Sequence, residues 1–201
     1  MTPILLVPPA AEPVSLAEAK AWLRLDGADE DTLVTALVLA ARMVVEAAAR
    51  RVLVTQTWRL VYDAWPPGVA PVLTDLTAAP PVLPVPIAPL RSVAAIRVFD
   101  AAGAARALPP GSYQVVGGPD DGRLLFAQAP PAPGRAAAGI EIDVVAGYGG
   151  PADTPPPLKQ AVLTLVAQWH ENRGDAEAAA PDHLPPAAAA LVRPFRRMRL
   201  A

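Results

Sequence analysis

Proline limits the fold of this chain more than any other feature of its sequence. The 201 residues include 26 prolines, and each proline removes a backbone donor and disrupts the interior of a helix or a central strand. Proline is densest in residues 66–89. We therefore predict a long surface excursion there, without central strands.

Composition limits the class of protein. The chain carries 17 basic and 19 acidic side chains, a formal net charge of −2, whereas a general binder of nucleic acid or of a membrane surface has a basic excess. The absence of cysteine excludes disulfides, thiol catalysis and thiolate metal sites. The only histidines are His170 and His183, which argues against a histidine metal site and leaves no cofactor indicated.

Two helices are predicted near the N-terminus. Ser15, with Glu18 three residues later, forms the capping-box pattern that starts a helix ending near residue 25. The acidic residues 29–31 suit the start of a second helix that runs to about Arg50.

The second helix is apolar around most of its circumference, so we expect it to be covered on most sides, in part by another subunit. Its predicted subunit-interface residues are Leu33, Leu37, Val38, Ala41 and Val45. The apolar run 32–41 is shorter than the roughly 20 residues of a membrane span. The first nine residues lack the basic start of a signal peptide, so we expect no membrane association.

The centre of the chain predicts a small antiparallel β unit. Alternation and β-branched or aromatic residues favour strands at residues 55–63, 92–99, 113–116, 123–126 and 140–146. Helical spacing returns in residues 158–169 and again in residues 187–192, with an alanine-rich linker at residues 175–186 between them. The predicted class is α+β: a bundle-like core of two N-terminal and two C-terminal helices with an inserted β unit.

No catalytic motif is complete. His170 and Glu171 begin a zinc-protease pattern, but the second histidine position holds Gly174. Asp120 and Asp121 lie in a glycine-rich turn, where aspartate commonly bonds its own backbone. An enzyme, such as a small metal-dependent hydrolase using Asp120, Asp121 and His170, stays an alternative.

The C-terminus has the composition of a partner-binding segment. Arginines alternate there with large apolar side chains, a mixture typical of interface hot spots, and the residues concerned are Arg193, Phe195, Arg196, Arg197, Met198, Arg199 and Leu200. Two other interpretations remain open. The arginines could contact DNA phosphates, or the tail could fold back on its own helices.

Seven segments, taken in order, resemble the head–tail connector proteins of tailed phages and of phage-derived gene transfer agents. They cover nearly the whole chain and are residues 13–24 (PVSLAEAKAWLR), 51–58 (RVLVTQTW), 87–93 (IAPLRSV), 146–149 (AGYG), 156–161 (PPLKQA), 169–173 (WHENR) and 191–197 (LVRPFRR).

The resemblance implies a non-enzymatic adaptor, without cofactors, in the neck of a virion or phage-like particle made in the bacterial cytoplasm. It implies a homo-oligomeric ring, commonly of twelve subunits, that joins the portal protein to a downstream stopper or tail-terminator protein. Double-stranded DNA would pass through its channel without sequence recognition, and the C-terminal segment would dock on the portal. The expected division within one connector domain, residues 1–201, is a helical core (14–52 and 155–192), a β insertion (53–150) and a docking tail (193–201).

Overall fold

The chain folds into two compact units, one helical and one of β-sheet. The computed structural model describes residues 1–69, 80–118, 120–172 and 184–196. The helical unit comprises Pro9–Thr55 and Tyr148–Ala201, and the β unit comprises Met1–Pro8 and Gln56–Gly147. The predicted α+β class is confirmed. The first eight residues belong to the β unit, where the sequence predicted no element.

The described part of the helical unit contains four α-helices: α1 (Leu16–Leu23), α2 (Asp31–Ala49), α3 (Pro156–Glu171) and α4 (Pro186–Val192). The capping box is confirmed, since the Ser15 side chain accepts a hydrogen bond from the Glu18 amide and the Glu18 carboxylate accepts one from the Ser15 amide. At the start of α2, by contrast, Glu30 makes no side-chain capping bond. The acidic residues nevertheless lie at the start of α2 as expected, with Glu30 as the N-cap residue and Asp31 in the first turn.

The core of the helical unit forms where α2, α3 and α4 meet. α2 buries the face that carries Val34, Val38, Ala41, Val45 and Ala49. α3 contributes Leu158, Val162 and Leu165, and α4 contributes Ala188 and Val192 to the same cluster. α2 is also long and apolar enough, at a mean hydropathy of 1.8, to cross a membrane by length and composition alone. Core helices share these properties, and this helix supplies much of the core.

The β unit contains two antiparallel sheets. The five-stranded sheet has the order β1-β2-β8-β4-β5 and the three-stranded sheet has the order β3-β7-β6. The strands are β1 (Thr2–Val7), β2 (Gln56–Tyr62), β3 (Val82–Pro84), β4 (Leu90–Phe99), β5 (Ala105–Ala107), β6 (Tyr113–Val116), β7 (Arg123–Phe126) and β8 (Ile140–Ala146). Their shared core includes Leu60, Ile96, Phe126 and Ile142.

The proline-rich stretch is only partly the surface excursion that the sequence predicts. Residues 70–79 lie outside the described part, but Val82–Pro84 form β3, and Leu83, Val85 and Ala88 are buried. β3 pairs with β7 at the edge of its sheet, as a strand containing proline should. The predicted surface excursion is therefore wrong for residues 82–88. In the described part of the stretch, the one strand is an edge strand and not a central one. Most of the expected linker at residues 175–186 lies outside the described residues.

Candidate functional site

The base of the C-terminal segment is attached to the end of α2. α4 is followed by a single 3-10 turn, Arg193–Phe195. The Nε atom of Arg51 donates a 2.5 Å hydrogen bond to the backbone carbonyl of Phe195, and Arg51 is only 6% exposed. The bond joins residues 144 positions apart, so it ties the turn after α4 to the residue that follows the C-cap of α2.

In the described part of the predicted docking tail, the arginines and the aromatic residue differ in exposure. Arg193 and Arg196 are exposed, and neither has an ion-pair partner among the described residues. The side chain of Phe195 is partly buried against the helical core, so its expected role as an anchor in a partner's pocket needs correction. The remaining predicted docking residues, Arg197, Met198, Arg199 and Leu200, lie outside the described residues.

The predicted subunit-interface residues divide into two groups. Val38, Ala41 and Val45 are at most 2% exposed and belong to the chain's own core, so their side chains are not on the surface. Leu33 and Leu37 are partly buried.

The exposed side of α2 carries Thr35 and, beside it, a stripe of small and apolar residues, which we call the α2 stripe: Thr32, Ala36, Leu39, Met43 and Ala47. Leu39 and Met43 are 46% and 56% exposed. Their spacing of three and four residues places the five side chains along one face of the helix. Sequence periodicity could not separate this stripe from the buried one because both are apolar.

The residues of the enzyme alternative are distributed over both units. His170, on α3, places its Nε2 atom 2.5 Å from a carboxylate oxygen of Glu30, which explains it as half of a polar pair at the start of α2. Asp121 pairs with Arg123 in the β unit, the unit to which Asp120 also belongs. Within the described ranges, no three His, Cys, Asp or Glu side chains cluster as metal ligands would.

A charged cluster that the sequence analysis did not identify lies on one face of the five-stranded sheet. Asp143 on β8 accepts hydrogen bonds from Arg59 on β2, at 2.7 and 3.0 Å, and from Arg97 on β4, at 2.7 Å. Glu141 lies 3.2 Å from Arg59. Burial alone would raise the pKa of Asp143, but the two guanidinium groups outweigh it and hold that pKa below its usual range. The cluster joins three adjacent strands.

The first strand is an exposed apolar feature of the β unit. All six residues of β1 are exposed, and Ile4, Leu5, Leu6 and Val7 are between 40% and 55% exposed. β1 pairs with β2 on one side only. Sequence reasoning considered these residues only as a possible signal peptide, although Ile-Leu-Leu-Val is a strand-forming run.

At the opposite edge of the same sheet, β5 borders an open groove of about 350 Å³. One wall consists of Arg106, Ala107 and Leu108, and the other runs from Phe126 to Pro131. Leu108, Phe126 and Pro130 are buried, so the floor of the groove is apolar.

Comparison with known proteins gives matches among solved structures. A chain from the neck of an empty gene transfer agent particle, computed with C6 symmetry, has a TM-score of 0.80 and 27% identity. A chain from the virion of a native gene transfer agent particle has a TM-score of 0.79 and 27% identity. A chain from the neck of the native particle, computed with C12 symmetry, has a TM-score of 0.77 and 28% identity. Each match covers 100% of this chain and 98% of the other.

No protein-family model matches the chain, and no curated protein matches it. The likeness to the solved structures nevertheless extends over both units, from end to end. It supports a structural protein of the neck of a phage-like particle.

Proposed function

We propose that this chain is the adaptor of a phage-like neck, a ring of twelve subunits that joins the portal protein to the next tail component. The observation that carries the proposal is the structural likeness to gene transfer agent neck chains over the whole of both chains, at 27–28% identity. The fold alone would be a weak argument for function. The end-to-end coverage adds that the likeness involves both units and not one shared domain.

The α2 stripe supplies part of the contact between neighbouring subunits. Burying Leu39 and Met43 removes apolar surface from water, and Thr32, Ala36 and Ala47 are small enough for another helix to approach closely. Leu33 and Leu37 flank the stripe and extend the contact. The apolar residues around most of α2 then have two roles. One side of the helix packs in the chain's own core, and the exposed side contacts the neighbouring subunit.

The C-terminal segment supplies the contact with the portal. Arg193 and Arg196 point cationic groups outward from an anchored base and pair with acidic groups of the portal. Arg197 and Arg199 add charge, while Met198 and Leu200 fill apolar pockets. The side chain of Phe195 packs against the helical core and so holds the base of the segment in place. Repetition around the ring makes the whole attachment firm even where one contact is modest.

In this function the protein does not recognise DNA. It passes through the axial channel without sequence recognition, and the near-neutral charge of the chain suits a surface that does not hold it. A stopper or tail-terminator protein binds the opposite end of the ring.

Charge reversal at the tail tests the proposal. Arg196→Glu, and separately removal of residues 197–201, should weaken binding to the portal protein of the same genome at least tenfold without changing the melting temperature. Arg24→Glu is the matched control, since Arg24 is an exposed arginine in the same unit. Unchanged portal binding in both variants would refute docking through this segment. If the variants instead lose affinity for DNA, and the affinity of the wild type for DNA falls steeply with salt, the DNA-contacting alternative is favoured.

A further inference from the structure

β1 has the properties of a strand that is covered in an assembly. An exposed apolar edge strand is a site for pairing with another chain, and proteins usually protect such edges with charge or short length. β1 has six residues and no charged side chain. Both of its faces carry large apolar groups, because successive side chains of a strand point to opposite faces. The pairing with β2 is shifted between Leu5 and Val7, which lie opposite the successive residues Trp58 and Thr57, so Leu5 and Val7 are on different faces. A partner that contacts β1 therefore covers large apolar side chains on both faces.

Pro3 determines how that contact is made. A proline in an edge strand is tolerated where the missing donor faces away from the sheet. Pro3 therefore removes one backbone donor from any ladder of hydrogen bonds that β1 forms with another strand. The exposed apolar side chains of β1 remain available to a partner, and they call for an apolar receiving surface.

The groove beside β5 is such a surface, and it lies at the other edge of the same sheet. Its floor of Leu108, Phe126 and Pro130 is apolar, and its volume of about 350 Å³ accommodates several aliphatic side chains. β5 is only three residues long, so the sheet edge next to the groove is also unpaired among the described residues. An apolar strand and an apolar groove thus occupy opposite edges of one sheet.

We propose that β1 of one copy of this chain packs against β5 and into the adjoining groove of the next copy. A closed ring requires a head-to-tail contact between two different surfaces of each subunit, and the two edges of one sheet meet that requirement. All neighbouring strands are antiparallel, so β1 and β5 run in the same direction and a copy related by a modest rotation brings them side by side. This proposal rests on the proposed ring and adds a contact that the α2 stripe does not provide.

Introduced charge tests the contact. Leu6→Glu and Ile4→Glu place a carboxylate in the apolar contact, and each should raise the concentration needed for assembly about tenfold or more. Assembly is measured by native mass, for the chain alone and with its portal protein. Ala137→Glu is the control, because it adds the same charge at an exposed residue of the β unit outside the groove. Variants of β1 that assemble like Ala137→Glu would overturn the proposal.

A cross-link tests it without disturbing the strand. The chain has no cysteine, so a disulfide in the Leu6→Cys/Ala107→Cys variant reports only the introduced pair. Within one copy the two positions are four strand spacings apart, on the order of 19 Å, too far for a disulfide. We expect a ladder of covalently linked copies on oxidation, and none with Leu6→Cys/Ala137→Cys.

The outcomes separate the two proposals. A ring that forms normally, without the ladder and with no effect of Leu6→Glu, overturns the β1 contact and leaves the adaptor function intact. A chain that stays monomeric both alone and with the portal overturns the ring and the β1 contact together.

Discussion

Arg51 and Phe195 are joined by a 2.5 Å hydrogen bond from the arginine Nε to the phenylalanine backbone carbonyl. The bond connects the residue that follows α2 and its C-cap to the last turn before the proposed portal-binding segment. The docking arginines therefore start from a defined point on the helical unit, although they are close to the end of the chain.

Replacing Arg51 should weaken both this attachment and portal binding. Arg51→Met keeps much of the apolar stem but removes the donor, and the loss should lower the free energy of unfolding by about 1–3 kcal/mol. Portal affinity should fall while the helix content by circular dichroism is retained. Arg50→Met is the control, since Arg50 is exposed. Equal effects of the two variants would show that the Phe195 carbonyl does not need Arg51.

Arg42 holds two carboxylates together at the side of α2. Its Nε lies 2.6 Å from Glu12 and its NH1 2.7 Å from Glu46, and Glu46 also accepts a 2.8 Å hydrogen bond from the amide of Leu53. Arg42→Met removes a cationic partner from two partly buried acids and should cost about 3 kcal/mol in urea denaturation. Glu12→Gln, at the more exposed end of the network, should cost about 1 kcal/mol. The reverse order would contradict this arrangement.

The ionisation of Asp143 should make the free energy of unfolding depend on pH. Its folded pKa lies below the usual value, so its contribution is fully present above the unfolded pKa of about 3.9 and is lost as the pH falls through the lower, folded pKa. Asp143→Asn should be less stable at pH 7 by about 2–4 kcal/mol, and its stability should fall less than that of the wild type below pH ~4. Parallel curves for the two proteins would contradict the assignment.

The capping box should stabilise α1 by a measurable amount. Ser15→Ala removes the acceptor for the Glu18 amide and should cost about 1 kcal/mol in the free energy of unfolding. Thr35→Ala is the matched control, because that exposed hydroxyl bonds only a carbonyl of its own helix, that of Asp31, and its loss should change stability by less than about 0.5 kcal/mol. Equal losses would mean that the cap contributes nothing beyond a surface hydroxyl.

Local sequence signals predicted much of this fold. Capping chemistry located α1, helical spacing located α3 and α4, and alternation gave the bounds of β6, β7 and β8 as the structure has them. Each of these elements can be recognised from the pattern of its own side chains. β1 and β3 were missed because each pairs with a strand far along the chain, whereas β5 pairs with the neighbouring β4 in a hairpin. β3 also contains Pro84, and β5 has only three residues.

The candidate site was less predictable for a physical reason. α2 is apolar on both sides, so periodicity could not show that Val38, Ala41 and Val45 face the core while Leu39 and Met43 face outward. Phe195 was assigned to a partner because aromatic residues in a terminal segment commonly bind one. Its side chain packs against the chain's own core, and its backbone carbonyl bonds Arg51, which is 144 positions away. The cluster around Asp143 likewise requires the strand register, which pairs Arg59 with Asp143.

The native mass of the purified chain, measured alone and with the portal protein of the same genome, tests the central claim most directly. The adaptor account predicts a large complex with a fixed ratio of twelve copies to one portal, formed either before or on portal binding. A chain that stays a monomer and does not associate with the portal at any salt concentration would contradict the account.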